Sequence, residues 1–182
     1  ETLKKNKVSA HLVMTNHSDM IKARNVIATL PGTDLPEEKV VIGGHLDSWD
    51  LATGAIDNGI GSFAVLDIAR AFQANKLKPR RTVQFVMFMG EEQGLLGSRH
   101  MVKQMVSDGS INNIKYMMNC DMTGNPVGIN AGGKINDTTF FANIGATIQK
   151  IDTIYKNKLS NRSGLHSDHQ PFMLEGVPVL SM

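Results

Sequence analysis

Gly90-Glu91-Glu92-Gln93-Gly94 sets two carboxylates side by side at the end of an apolar run, residues 83–89. Consecutive residues leaving a strand point in different directions, so the two acids cannot share one task. One can hold a cation while its neighbour stays free to take a proton from water. That division needs further ligands, and three places offer them. His45 ends the apolar run 39–44, Asp57 stands just ahead of a helical pattern, and Asp121 directly follows the run 114–120. Singly, each has an ordinary explanation. Asp57 can be a helix N-cap, and Glu91 and Glu92 a solvated helix start favoured by the dipole. His45 can be a hydrogen-bonded core imidazole, and Asp121 a turn residue. Jointly the pattern differs, because these groups would meet in one crevice and repel unless a cation lay between them. Carboxylate and imidazole without thiolate suit zinc, cobalt or manganese. Structural zinc sites favour cysteine, so this centre reads as catalytic.

Hydropathy periodicity predicts the elements that must position these groups. Residues 7–15 and 23–30 lean towards β structure around a polar turn at 16–19, which predicts an antiparallel pair. After a loop at 31–38, the strand 39–44 delivers His45. Ile60, Phe63, Ala64, Leu66, Ile68, Ala69 and Phe72 recur at helical spacing over 59–73. A strand at 82–89 and a helix over 94–106 follow, then strands at 114–120 and 127–131. Phe141, Ile144, Ile148, Ile151 and Tyr155 predict a helix over 137–155, and 177–180 reads as the start of a buried strand. Helices interleaved with apolar strands predict a three-layer α/β/α fold. Its central sheet should be mixed and mostly parallel, with an antiparallel N-terminal edge. Ligands of such sheets bind beyond the carboxyl ends of the strands, where His45, Glu91, Glu92 and Asp121 all fall.

The 182 residues amount to one domain or most of one, and 41% hydrophobic with 20% charged residues suits a globular core. A net charge of +2 is too small to imply a nucleic-acid partner. The basic cluster at 76–81 reads as a solvated loop. Cys120 is the only cysteine, so no internal disulfide is available, and its place on an apolar strand suggests a structural role. No run of about 18 apolar residues is present, so no membrane-spanning helix is expected. The methionines fall mostly in strand runs and read as core. Trp49 could line a substrate pocket or pack as an aromatic.

Four strings carry a family resemblance: Gly43-Gly44-His45-Leu46-Asp47-Ser48-Trp49-Asp50, Asp57-Asn58-Gly59-Ile60-Gly61, Gly90-Glu91-Glu92-Gln93-Gly94 and Asn119-Cys120-Asp121-Met122. From about Asn25 onward the chain resembles the co-catalytic zinc exopeptidases of metallopeptidase family 28, and its His-Leu-Asp-Ser-Trp-Asp string is most similar to the plasma glutamate carboxypeptidase branch. The resemblance implies two zinc ions, with cobalt or manganese as substitutes. His45 and Asp121 would hold one ion, Glu92 the other, and Asp57 would bridge them. Asp47 would orient the His45 imidazole. Glu91 would be the general base towards a water bridging the ions. The implied reaction is hydrolysis of a terminal bond in a peptide or dipeptide, outside the cytoplasm, and the Asp57-Asn58 peptide is expected to be cis. Two alternatives share the fold: a glutaminyl cyclase-like acyltransferase with one zinc, and a non-catalytic receptor-type domain.

A site of this type calls for a second histidine ligand. Composition alone points to His169, in His166-Ser167-Asp168-His169-Gln170-Pro171-Phe172. The resemblance instead puts His169 on the substrate side and the ligating histidine in a later motif, beyond Met182. The chain is therefore expected to be a partial catalytic domain, with a protease-associated domain possible upstream in the closest branch. A serine triad from Ser167, Asp168 and His169 is disfavoured, because sequence neighbours rarely adopt triad geometry and no Gly-x-Ser-x-Gly elbow is present.

Overall fold

Valine, isoleucine and phenylalanine at successive positions of the central strands need apolar cover on both faces. A computed structural model, which describes residues 9–132 and 138–182, shows how they obtain it. The strands are β1 (Val26–Leu30), β2 (Leu35–His45), β3 (Arg81–Phe88), β4 (Ile114–Asn119), β5 (Gly128–Gly132), β6 (Lys158–Ser160) and β7 (Val179–Ser181). They form one sheet in the order β1-β3-β2-β4-β7-β5-β6. Pairing is parallel at β2/β3, β2/β4, β4/β7 and β5/β6, and antiparallel at β1/β3 and β5/β7. The helices are α1 (Ile60–Ala74), α2 (Leu96–Ser107), α3 (Thr138–Ile148) and α4 (His169–Leu174).

Alternation along β2 and β3 divides the core. Val41, Val86, Phe88 and Met117 face Met101, Val102 and Met105 of α2 and Phe172 of α4. The Phe88 and Phe172 rings meet edge to face, with centroids 6.3 Å apart. On the opposite face Ile42, Val83 and Phe85 meet Val65 and Phe72 of α1, while Ile129, Ala131 and Leu180 meet Phe141 of α3. Met118 packs against both of these clusters, so α1 and α3 share a face. The fold is the expected three-layer α/β/α arrangement on a mixed, mostly parallel sheet.

Several elements differ from expectation. β1 takes its antiparallel partner from β3, with Val26 opposite Met87 and Leu30 opposite Val83. Residues 9–25 form no strand, and Lys7 and Val8 of the expected first strand lie outside the described residues. β2 starts earlier than predicted, at Leu35, through an irregularity between Leu35 and Lys39. α3 stops at Ile148, and Tyr155 is buried from the loop beyond it; Asp137, the expected start, lies outside the described residues. β6 and α4 carried no sequence signal strong enough to place them.

The buried face of α1 departs from prediction in part: Ala64, Ile68, Ala69 and Phe72 pack on the core as expected, but Ile60, Phe63 and Leu66 are exposed. Phe63 is 71% exposed, whereas Gly61, Ser62 and Val65 are buried. Phe63 lies on the side of the helix opposite Val65, and the buried side packs closely on the strand ends at the start of the helix. A Cβ on Gly61 would lie 2.2 Å from the Cys120 carbonyl oxygen, and one on Gly44 would lie 2.6 Å from the same atom. Small residues must form this contact, which brings the turn carrying Asp57 against the end of β4. Gly61→Ala is expected to lower unfolding free energy by about 1–3 kcal/mol, read as a reduced denaturation midpoint at unchanged slope.

Candidate metal centre

Parallel register brings the candidate ligands together. His45, the last residue of β2, lies opposite Phe88, and Gly43 lies opposite Asn119. The chain therefore leaves β2, β3 and β4 on one edge of the sheet, with His45, the Glu91-Glu92 pair and Asp121 at its rim. Asp57 joins them from a single wide turn, Ala55–Gly59, in which Asp57 and Asn58 are not helical and the Asp57-Asn58 peptide is cis.

His45 is 1% exposed and lies at the centre. Its Nδ1 is 2.9 Å from the Asp47 carbonyl oxygen, which takes the Nδ1 proton and leaves Nε2 facing the crevice. Nε2 lies 3.1 Å from Asp57 Oδ1 and 3.5 Å from Asp121 Oδ1, without hydrogen-bond geometry to either. Burial opposes a charged imidazole here, yet the Asp121 carboxylate, followed by Glu91, lifts its pKa to about 9. Asp121 is held low: burial works against its charge, but the adjacent His45 imidazole and the bond from the Ser167 hydroxyl outweigh it. Glu91 and Glu92 are both pushed upward, first by burial and then by surrounding carboxylates.

Asp47 reaches the imidazole through its backbone carbonyl, its carboxylate staying 3.8 Å away. That carboxylate caps the adjacent turn. Oδ1 accepts from the amides of Gly90 (2.9 Å) and Glu91 (3.2 Å), and Oδ2 from Glu92 (3.2 Å). Asn25 braces the same loop, donating to the Gly97 carbonyl and accepting from the Met89 amide. Gly90, at φ +74°, makes the reversal possible. One aspartate thus orients both the imidazole and the glutamate pair.

Sequence reasoning missed other supports. Asn58 donates to the Cys120 carbonyl (2.9 Å) and accepts from the Met122 amide (3.0 Å), fastening the Asp57 turn to the Asp121 loop. Ser62 donates to the His45 carbonyl at 2.6 Å. Ser167 donates to Asp121 Oδ2 at 2.5 Å and accepts from Asn119 Nδ2 at 2.8 Å. Ser167 adopts φ +141°, uncommon for a residue with a side chain. That outlier becomes visible only in the backbone. His169, expected on the substrate side, is 9% exposed, with Nε2 2.8 Å from the Gly164 carbonyl and Nδ1 3.4 Å from Asn119 Nδ2. Trp49 is 63% exposed beside the crevice, so it is not a packed core aromatic. Cys120 is fully buried, and burial raises its thiol to about 11, which removes it as a nucleophile.

Two sets of ligand-capable atoms emerge, each within 4.8 Å: His45 with Asp57 and Asp121, and His45 with Glu91 and Glu92. His169 belongs to neither. The residues fit a cation on direct grounds. His45 Nε2 and Glu92 Oε1 are both buried and lack a hydrogen-bond partner, an expensive arrangement unless another group satisfies them.

Residues 25–182 match the model of Peptidase family M28. The chain belongs to that family. It is 30% identical over 168 residues to Carboxypeptidase Q of Xenopus laevis, an alignment spanning 92% of this chain and 34% of that protein. Among solved structures, a Peptidase M28 precursor from Shewanella amazonensis superposes with a TM-score of 0.73 at 29% identity, over 86% of this chain and 35% of that one. The zinc aminopeptidase BSAP from Bacillus subtilis gives 0.70 at 27%, over 86% and 39%. The chain thus spans about a third of the length of these relatives. No helix among the described residues is long and apolar enough to cross a membrane.

Zinc coordinates only a neutral imidazole, so a zinc ion held by His45 would have to displace the proton that Asp121 and Glu91 help it to keep. Apparent zinc affinity is expected to rise with pH and to level off near the imidazole pKa of about 9. Below that point the rise should be about tenfold per pH unit for one displaced proton, measured by competition with a chromogenic chelator.

Proposed function

We propose that this chain carries the core of a zinc exopeptidase site that hydrolyses terminal peptide bonds on two metal ions. The observation that carries the reading is the pair of ligand sets sharing the buried His45, with His45 Nε2 and Glu92 Oε1 left without partners. In this reading His45 and Asp121 would hold one ion and Glu92 the other, with Asp57 available to both. Bound zinc would supply Lewis acidity, polarising the scissile carbonyl and making water a better acid.

The chain's own groups do the remaining work. Asp47 fixes the amides on either side of Glu91, so the carboxylate is aimed before substrate arrives. Burial and neighbouring anions raise the Glu91 pKa, making it a stronger base than a solvated glutamate. Glu91 takes a proton from water as the new carbon–oxygen bond forms. It returns that proton to the amine as the carbon–nitrogen bond breaks, so the base is regenerated. Peptides or dipeptides encountered outside the cytoplasm are the substrates in this proposal.

In the full protein, cleavage of an aminoacyl anilide should stop with a chelator and return with zinc. Glu91→Gln should reduce kcat by about 10²–10⁴-fold while zinc content stays at the wild-type level by elemental analysis. Unchanged kcat in that variant would remove Glu91 from the mechanism.

A further inference from the structure

Asn58 follows Asp57 in sequence and is 2% exposed. Its side chain bonds only to backbone at or beside the candidate ligands. Nδ2 donates to the Cys120 carbonyl at 2.9 Å and to the His45 carbonyl at 3.4 Å, and Oδ1 accepts from the Met122 amide at 3.0 Å. Cys120 and Met122 flank Asp121 in the chain. One carboxamide therefore touches the backbone of His45 and of both neighbours of Asp121, while the main chain that carries it also carries Asp57. His45, Asp57 and Asp121 are one of the two ligand sets.

The partners dictate which side chain can do this. Carbonyls only accept and an amide only donates, so the position needs a donor and an acceptor on one short planar group. Asparagine supplies both. An ionised aspartate of the same outline cannot donate, and leucine can do neither. The surrounding space is equally restrictive. A Cβ on Gly61 would strike Asn58 Oδ1, and one on Gly44 would lie 3.3 Å from Nδ2. The His45 carbonyl also accepts from the Ser62 hydroxyl at 2.6 Å, so the end of β2 cannot turn without breaking buried bonds. None of these bonds reaches the Glu91-Glu92 turn, which Asp47 and Asn25 hold instead. The two halves of the crevice are thus fixed by different side chains.

We propose that Asn58 is a positioning residue for the metal centre: its carboxamide fixes Asp57 relative to His45 and Asp121, and so sets the spacing of that ligand set before an ion binds. The proposal rests on these residues holding zinc. Like charge drives Asp57 and Asp121 apart until a cation lies between them, and the bonds of Asn58 oppose that separation. An ion then meets ligands already at its spacing rather than ligands it must gather, which raises affinity without a further ligand.

The test uses the full protein and reads zinc affinity by competition with a chelator. Asn58→Leu, which keeps the volume and removes every bond, should weaken binding of the ion held by His45 and Asp121 by about 10- to 100-fold. In the zinc-free protein it should also speed exchange of the Met122 amide by about tenfold. Asn58→Asp is the milder cut should Asn58→Leu fail to fold. It keeps an acceptor for the Met122 amide, so exchange there should stay near wild type, but it loses the donor for both carbonyls. By charge alone an added acid would tighten cation binding. Zinc should instead bind about tenfold more weakly, with an altered visible spectrum in the cobalt-substituted protein. Wild-type zinc affinity in Asn58→Leu with only a lowered denaturation midpoint, or tighter zinc binding by Asn58→Asp, would overturn the proposal. Wild-type protein that takes up no zinc would instead remove the functional reading, and this proposal with it.

Discussion

Like-charge repulsion around one buried imidazole is the constraint on which the site depends. Asp47, Asp57, Glu91, Glu92 and Asp121 all converge on His45. Two carboxylates about 4–5 Å apart repel by about 3–4 kcal/mol at an effective dielectric constant of 20. A domain's whole stability is about 5–15 kcal/mol, so a few such pairs left unanswered would rival the folding free energy. The chain answers some of them itself. Three backbone amides absorb the Asp47 charge, and Ser167 and His45 absorb part of that on Asp121. Glu91 and Glu92 receive no comparable relief, and both pKa values rise. The unrelieved anions are the ones a cation would compensate.

Holding repelling groups together requires a scaffold that cannot relax outward, and here that scaffold is mostly backbone. The His45 carbonyl receives Ser62, while the Cys120 carbonyl receives Asn58 and lies against Gly44 and Gly61. These contacts tie β2, the Asp57 turn and the end of β4 into one unit. Larger residues at either glycine would separate the turn from the strand and move Asp57 away from His45. The site's charge pattern and the tight packing at the head of α1 are therefore parts of one solution. Apolar layers on both sheet faces then hold the strand ends in place.

What could be read from the sequence follows from the range of each interaction. Strand cores and the acids at their ends were legible because apolar runs and their terminators are local patterns. The layering was legible for the same reason. The bracing was not. Asn58 reaches residues 62 and 64 positions away, and Ser167 reaches Asp121 across 46. Such polar bonds leave no periodic trace. On α1 the stripe of Ala64, Ile68, Ala69 and Phe72 was legible, whereas Ile60, Phe63 and Leu66 were wrongly added to it: at about 100° per residue Val65 lies on that stripe and Phe63 on the far side. β1 was given the wrong partner because alternation identifies a strand but not the strand it joins.

The Glu91-Glu92 dipeptide shows why neighbouring identical side chains need not be equivalent. Asp47 binds the amides of both, so the backbone treats them alike. Their side chains differ. Glu92 Oε1 is buried without a partner, and Asp57 is the leading charge that raises its pKa. For Glu91 that leading influence is the attraction of His45, which partly offsets burial. Among the charges around them, Glu92 thus feels the Asp57 carboxylate most and Glu91 the His45 imidazole. The proposed difference between ligand and base rests on that difference in surroundings, which two neighbouring glutamates acquire because consecutive side chains point in different directions.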